Sequence, residues 1–291
     1  MKTIVTHFAP DVDAISSVWL LKRFTTRWQE ADVAFVPAGK TLKGDIVDSD
    51  PSVMHVDTGM GMLDHHQTDE DTCAAKRTLE YVRELGEGKV RIHQKHADDA
   101  LDRMIDVVND IDHFREVYFP NPAADYYDFG LVAILDGWKL LYPEDDGKIA
   151  TLGMLVLDGI YKKFQDKVWA EHELSQNGIA FESKWGKGIA IETINDEVVK
   201  MAQRQGFVLA VRKDPKKGYV RIKAIPSSDA DLTIYYKKLK KKDPKATWYL
   251  HASRKMLLNG SVKNPESQPS SLQLSELLKI LTAKKKKKMV Q

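Results

Sequence analysis

Lys2-Thr3-Ile4-Val5-Thr6-His7-Phe8-Ala9-Pro10-Asp11-Val12-Asp13-Ala14 is a strand, a polar loop and the start of a helix in thirteen residues. The β-branched run Thr3–Thr6 suits a short buried strand over Lys2–Thr6. From Asp13 to Trp28, Ala14, Val18 and Leu21 recur at helical spacing, flanked by Ile15 and Trp19, with no Pro or Gly between them. That is a helix. The loop therefore links a strand end to a helix start, where side chains converge over a sheet edge and the helix dipole favours anions. Its His7, Asp11 and Asp13 mix imidazole with carboxylate, a set that suits a hexacoordinate divalent ion such as manganese and lacks the thiolates of a soft-metal site. The plainer reading, that Asp11 or Asp13 caps the helix and His7 is an ordinary loop histidine, stands beside it.

Downstream the alternation of strand and helix continues. Short strands are expected at Val33–Val36, ended by Pro37-Ala38-Gly39, at Val53–Val56, and very briefly at Met62-Leu63. Helices are expected at 72–85, at 96–110 through Leu101, Met104, Ile105 and Val108, and at 129–141. Such alternation implies an α/β fold with a mainly parallel sheet and helices on both faces. Ligands bind such sheets outside the carboxyl ends of the strands. Here those ends carry the unusual polar residues. Asp57 follows the apolar run Val53-Met54-His55-Val56, where a carboxylate is costly unless a cation or several donors compensate it. One carboxylate can bridge two ions in a phosphoryl-transfer clamp. His55 reads as a core or supporting residue. Asp64-His65-His66 follows the last short strand. Adjacent residues in extended chain point opposite ways, so one imidazole would face metal and the other substrate. Asp64 is placed to accept a histidine's second N–H.

Residues 148–180 read as largely helical, a bridge between domains, with Gly159 leaving open whether one helix or two. Strands follow at Ile189–Ile194, Phe207–Val211 and Tyr219–Ile225. The last two are joined by a hairpin turn over Asp214–Gly218. Further helices are expected at about 195–204, opened by Asn195 as cap, at Asp229–Lys240 and at Leu272–Leu281, and strands at Trp248–His251 and Lys255–Leu258. The division expected is a catalytic domain over 1–146, a helical linker over 147–180, a smaller α+β domain over 181–283 and a disordered lysine tail over 284–291.

The net charge of +2 conceals an asymmetry: residues 1–146 hold 15 Lys and Arg against 28 Asp and Glu, and residues 147–291 hold 29 against 14. An acidic half suits cations and a basic half a polyanion, though two solvated surfaces would give the same count. Arg221 and Lys223 on one strand face, with His251, Arg254 and Lys255, are candidates for phosphate charge. Tyr235, Tyr236, Trp248 and Tyr249 are candidates for base stacking, or else core. One cysteine, Cys73, excludes an internal disulfide and a cysteine-rich zinc site. No apolar run is long enough to span a bilayer and the N-terminus is too short for a signal-peptide core, so a cytoplasmic protein is expected.

His-x3-Asp-x-Asp, then Asp57, then Asp64-His65-His66, each at a strand end and in this order, resembles the DHH phosphoesterase superfamily. The resemblance covers residues 1 to about 115. That group includes RecJ-like exonucleases, oligoribonuclease-like nucleotide phosphatases, cyclic-dinucleotide phosphodiesterases and manganese pyrophosphatases. It implies that His7, Asp11 and Asp57 hold one manganese (or magnesium) ion and that Asp13, Asp57 and His65 hold a second. His66 would contact the scissile phosphate. A further aspartate completes the second ion: Asp112, taken to lie just off the preceding helix, with Asp110 as the alternative. Val12 stands where many members carry glycine. In the family the second domain clamps substrate. The segment Trp248–Lys255 occupies the place of its glycine-rich stretch but lacks the glycines. The implied activity is two-metal hydrolysis of single-stranded nucleic acid or short oligonucleotides. Pyrophosphate, a nucleotide or a cyclic dinucleotide are the alternative substrates, and a non-catalytic nucleotide or nucleic-acid binding relative is the alternative class. The partners expected are the phosphoester substrate and a second copy of the chain as a homodimer.

Overall fold

The structure is a computed structural model that describes residues 1–86 and 97–283. The lysine tail expected over 284–291 lies outside the described residues. The chain divides into two compact units, Met1–Gln165 and Asp166–Gln291.

In the first unit β1 (Thr3–His7) lies between β2 (Asp32–Val36) and β3 (Val53–His55), and both pairings are parallel. The register sets His7 opposite Val36 and Val5 opposite His55, so the carboxyl ends of β1 and β3 open on the same edge. The expected fourth strand is a single parallel bridge, Val56 to Leu63. Two residues are too few for a ladder, but the bridge is enough to return the chain beside Asp57. Helix α1 (Val12–Phe24) packs on α2 (Ala74–Glu84), α3 (Ala97–Asp112) and α4 (Leu131–Leu141). Ile15, Val18, Trp19, Leu20 and Leu21 are buried. The helix stops four residues short of Trp28. Thr25 turns extended, its hydroxyl donates to Leu21 O at 2.8 Å, and the same oxygen accepts Trp28 N–H at 3.1 Å. A β-branched threonine that satisfies both neighbours ends the helix without glycine. Helix α5 (Asp146–Asn177) is one continuous helix through Gly159, and the division between the units falls within it.

The second unit holds a six-stranded mixed sheet in the order β4-β5-β6-β7-β9-β8. The strands are β4 (Ile179–Ser183), β5 (Gly186–Glu192), β6 (Leu209–Lys213), β7 (Val220–Ala224), β8 (Trp248–Leu250) and β9 (Met256–Asn259). Only β5–β6 is parallel. One face buries Val211, Ile222 and Leu257 with α7 (Thr233–Lys242) and α8 (Leu274–Leu281) residues Leu239 and Leu277. Ile189, Ile191 and Ala210 pack instead with Val198, Met201 and Ala202 of α6 (Glu197–Arg204). The sequence carries no sign of β4, whose first two residues fall within the stretch 148–180 that reads as largely helical. Gly178 ends α5, its N–H bonded to Leu174 O, and the chain turns into an edge strand too exposed to show an apolar rhythm. Asn195 does not cap α6. Asp196 holds that position, and Asn195 accepts Glu197 N–H at 2.8 Å one residue earlier.

Candidate metal centre

Four segments bring carboxylates and imidazoles to the carboxyl edge of the parallel sheet. His7 ends β1. Its Nδ1 lies 2.8 Å from Phe8 O, an atom that only accepts, so this nitrogen carries a proton. That leaves Nε2 directed at Asp57 Oδ2, 3.2 Å away, and Asp11 Oδ2, 3.8 Å away. A backbone carbonyl that fixes the outer nitrogen and presents the inner one is the usual support of a ligand histidine. Asp11 divides its two oxygens. Oδ1 caps α1 by accepting Ala14 N–H at 3.0 Å, and Oδ2 faces His7. The capping reading and the ligand reading are therefore compatible in one side chain.

Asp13 is buried. Its oxygens accept Ala74 N–H and Ala75 N–H, each at 2.7 Å. It thus supplies from α1 the cap that Cys73, at the N-cap position of α2, lacks. The sequence shows no trace of this pairing across sixty residues. Asp57 is also buried, and its φ of +52° turns the chain at the end of β3. A non-glycine residue held there is strained, and the N–H of Asp57 bonded to Leu63 O helps hold it. His65 Nε2 lies 3.5 Å from Asp57 Oδ1, 3.8 Å from Asp13 Oδ2 and 3.7 Å from Asp112 Oδ2.

Asp112 closes α3 and does not lie beyond it. The buried stripe of Leu101, Met104, Ile105 and Val108 reaches Asp112 four residues on, so the carboxylate stays on the inward face. Asp110 points elsewhere and pairs with Arg115 at 3.0 Å. Asp64 is buried and accepts Met60 N–H at 2.7 Å. Its other oxygen accepts from His66 Nδ1 at 2.7 Å and from His66 N–H at 3.1 Å. The His66 ring stands 4.4 Å from that of His65 and is more than half exposed. Ala38, Gly39 and Met60 join His7, Asp11, Asp57, Asp64, His66 and Asp112 around a cavity of about 260 Å³. In the sequence Pro37-Ala38-Gly39 reads only as a strand end, with no sign of its place in the centre.

Three overlapping triads have donor atoms within 4.8 Å of one another: His7, Asp11 and Asp57; Asp13, His65 and Asp112; and Asp57, His65 and His66. Asp57 Oδ1 and His65 Nε2 are buried and face each other across 3.5 Å, with no closer hydrogen-bond partner. Both atoms stand where the triads cross, among donors of the kind that a cation takes. An oxygen-rich set with imidazole fits a divalent cation of the manganese or magnesium kind. The charges agree. Burial pulls His7 down, but Asp57, the Phe8 carbonyl and Asp11 outweigh it and raise it to about 9. Asp57 chiefly raises His65 to about 9, against burial and with help from Asp112 and Asp13. Burial, then the Asp57 and Asp112 charges, push Asp13 well above the ordinary carboxylate value. Burial likewise raises Asp112, though His65 opposes it. Burial also acts upward on Asp57, but His65 and His7 prevail and hold it below the usual range.

The basic candidates lie in the second unit. Arg221 donates to Gly260 O at 2.6 Å. Lys255 donates to the carbonyls of Ser228 and Ala230. Arg254 pairs with Asp231 at 3.0 Å, and His251 meets the Ser253 hydroxyl at 2.8 Å. Lys223 alternates with buried Ile222 and Ala224 on the same half-covered face as Arg221. Tyr235 and Trp248 are core, whereas Tyr249 is exposed. No helix among the described residues is long and apolar enough to cross a membrane.

No family model matches the chain, and no curated protein matches it. Among solved structures it is similar to a DHH-domain member of the s1p family of ribosomal proteins. The two share 12% identity and a TM-score of 0.31, over 97% of this chain and 87% of the other.

Proposed function

We infer that this protein is a divalent-metal-dependent phosphoesterase. The observation that carries the reading is the crossing of three ligand triads at two buried atoms, Asp57 Oδ1 and His65 Nε2. Asp57 belongs to two of those triads, the pattern required of a carboxylate that bridges neighbouring ions. His7, Asp11 and Asp57 would hold one cation, and Asp13, Asp57, His65 and Asp112 the other. Two such cations supply the Lewis acidity and activated water of an in-line displacement at phosphorus.

The chain's own residues have separate tasks. The Phe8 carbonyl keeps the outer nitrogen of His7 protonated and its inner nitrogen aimed inward. The α2 N–H groups orient Asp13 with both oxygens engaged. Asp64 holds the His66 ring through Nδ1, so that exposed Nε2 is the face offered to a phosphate. In its imidazolium form, the only one in which Nε2 also carries a proton, His66 would donate to a non-bridging or leaving oxygen. No side-chain nucleophile is required.

The substrate proposed is single-stranded nucleic acid or a short oligonucleotide. The basic excess of residues 147–291 supports it, as do the exposed Tyr249 and lysines 237, 238, 240, 241 and 242. The test is release of mononucleotides from an end-labelled oligomer with Mn²⁺, alongside pyrophosphate, nucleoside monophosphate and cyclic dinucleotide. Asp57→Ala removes a shared ligand and should cost more than about 100-fold, beyond what outer partners of metal ligands cost. Undiminished hydrolysis by a folded Asp57→Ala protein would refute the site. Turnover of another phosphate compound alone would replace the substrate and keep the site.

A further inference from the structure

The six-stranded sheet has two unlike faces. Val220, Ile222, Leu257 and Trp248 are buried in the core with α7 and α8. On the other face Ile189, Ile191 and Ala210 of β5 and β6 pack under α6, but the side chains of β7, β9 and β8 stay open. Arg221, Lys223, Met256 and Leu258 are partly exposed and Tyr249 is 55% exposed. The register sets their order. Arg221 lies opposite Leu258, and Leu258 opposite Tyr249. One row on, Lys223 lies opposite Met256, whose carbonyl accepts His251 N–H at 2.9 Å. Cross-strand partners project on one side of a sheet, so the open face runs from two cations through two apolar side chains to two rings. Tyr249 and His251 meet edge to face, with ring centres 6.5 Å apart. Two strand spacings, about 10 Å, separate the row of cations from the row of rings.

These cations lack anionic partners. Among the described residues Arg221 donates only to the carbonyls of Asn259 and Gly260, and Lys223 makes no hydrogen bond or ion pair. The neighbouring carboxylate, Asp196, is engaged by Arg212 at 2.6 Å. Burial lowers the pKa of both Arg221 and Lys223 against the pull of Asp196, a cost that a bound anion would offset. Cations suit phosphate, and exposed rings beside apolar side chains suit unpaired bases. We propose that the open face of β7, β9 and β8 is a docking platform for single-stranded nucleic acid, with phosphates at Arg221 and Lys223 and a base on Tyr249. The proposal rests on the choice of single-stranded nucleic acid made above, and adds that this sheet holds the strand without metal. A duplex keeps its bases stacked inside and forgoes the ring.

The test is fluorescence anisotropy of a labelled oligothymidylate with the full chain in EDTA, where no hydrolysis competes. Tyr249→Ala should weaken binding about tenfold, the loss of one stacked base, and Tyr249→Phe should not. Lys223→Gln should reduce the slope of log affinity against log salt by about 0.7, the share of one phosphate on a single strand, and Lys223→Arg should restore it. Neither side chain is hydrogen-bonded among the described residues, so the fold does not depend on them. Unchanged affinity and slope in both variants, equal binding of a duplex or of polyglutamate, or no binding in EDTA would overturn the platform. Its failure is distinct from that of the phosphoesterase reading. Hydrolysis that Asp57→Ala abolishes would stand without the platform. Strand binding with no hydrolysis of any phosphate compound would keep the platform and remove the enzyme.

Discussion

Asp13 joins two duties in one carboxylate: it closes the first turn of α2 and faces His65 in the metal centre. Removing it strips two buried N–H groups of their acceptor, at about 1–3 kcal/mol each, and relieves a buried charge that folding disfavours. Asp13→Ala should therefore destabilise the metal-free chain by a net ~1–3 kcal/mol in urea unfolding. An unchanged midpoint would mean that the cap is not used. His7 and His65 give the centre a pH dependence of definite sign. Both are raised to about 9, so both carry a proton at neutral pH when no cation competes. A ligand imidazole must be neutral, so binding expels protons. Mn²⁺ affinity should climb as pH goes from 7 to 9, by about tenfold per unit for each proton released, and level off above. Calorimetry in buffers of different ionisation enthalpy counts those protons, and a flat profile would exclude the two histidines as ligands.

Two glycines of α5 look alike in the sequence and differ in place. A Cβ on Gly153 would lie 2.9 Å from Ile15 Cγ2 and 3.1 Å from its Cδ1, whereas one on Gly159 would meet nothing within 4 Å. Gly159→Ala should gain about 0.5–1 kcal/mol of helix propensity. Gly153→Ala collects the same gain but must push α1 and α5 apart, and overpacking of this kind costs about 1–3 kcal/mol. Thermal melts should shift in opposite directions, or at least leave Gly153→Ala below the parent. If both rise alike, the α1–α5 approach is looser than described. This distinction is not legible in the sequence, where Gly159 is the residue that leaves one helix or two open. Asp112 teaches the converse. The residue was legible, but the reason given for it was wrong: helical periodicity carries it inward, and the stripe simply changes from apolar to acidic where α3 meets the centre.

The two units have separate cores, and the proposed ligands all belong to the first. Mn²⁺ that binds the native state stabilises by mass action. Hydrogen exchange with and without Mn²⁺ should show added protection at 7–13, 57–66 and 109–113. Amides of β6, β7 and β9 should be unaffected at times short of global unfolding. Equal protection in the six-stranded sheet would tie the units into one cooperative block, and absence of protection at 57–66 would count against the centre.

The amino-acid sequence alone determined the strand–helix alternation, the apolar stripe of α3 and the polar residues at strand ends, because each is written in local periodicity and residue type. It also singled out His7, Asp11, Asp13, Asp57, His65 and Asp112, which the fold gathers at one sheet edge. Only the tertiary structure decided what is non-local. Asp13 reaches α2, Asp57 meets both His7 and His65, Asp110 turns to Arg115, and Trp248 sinks into the core. Partners and burial depend on chain segments that are distant in sequence and meet only when the elements pack. A linear pattern holds no record of that meeting.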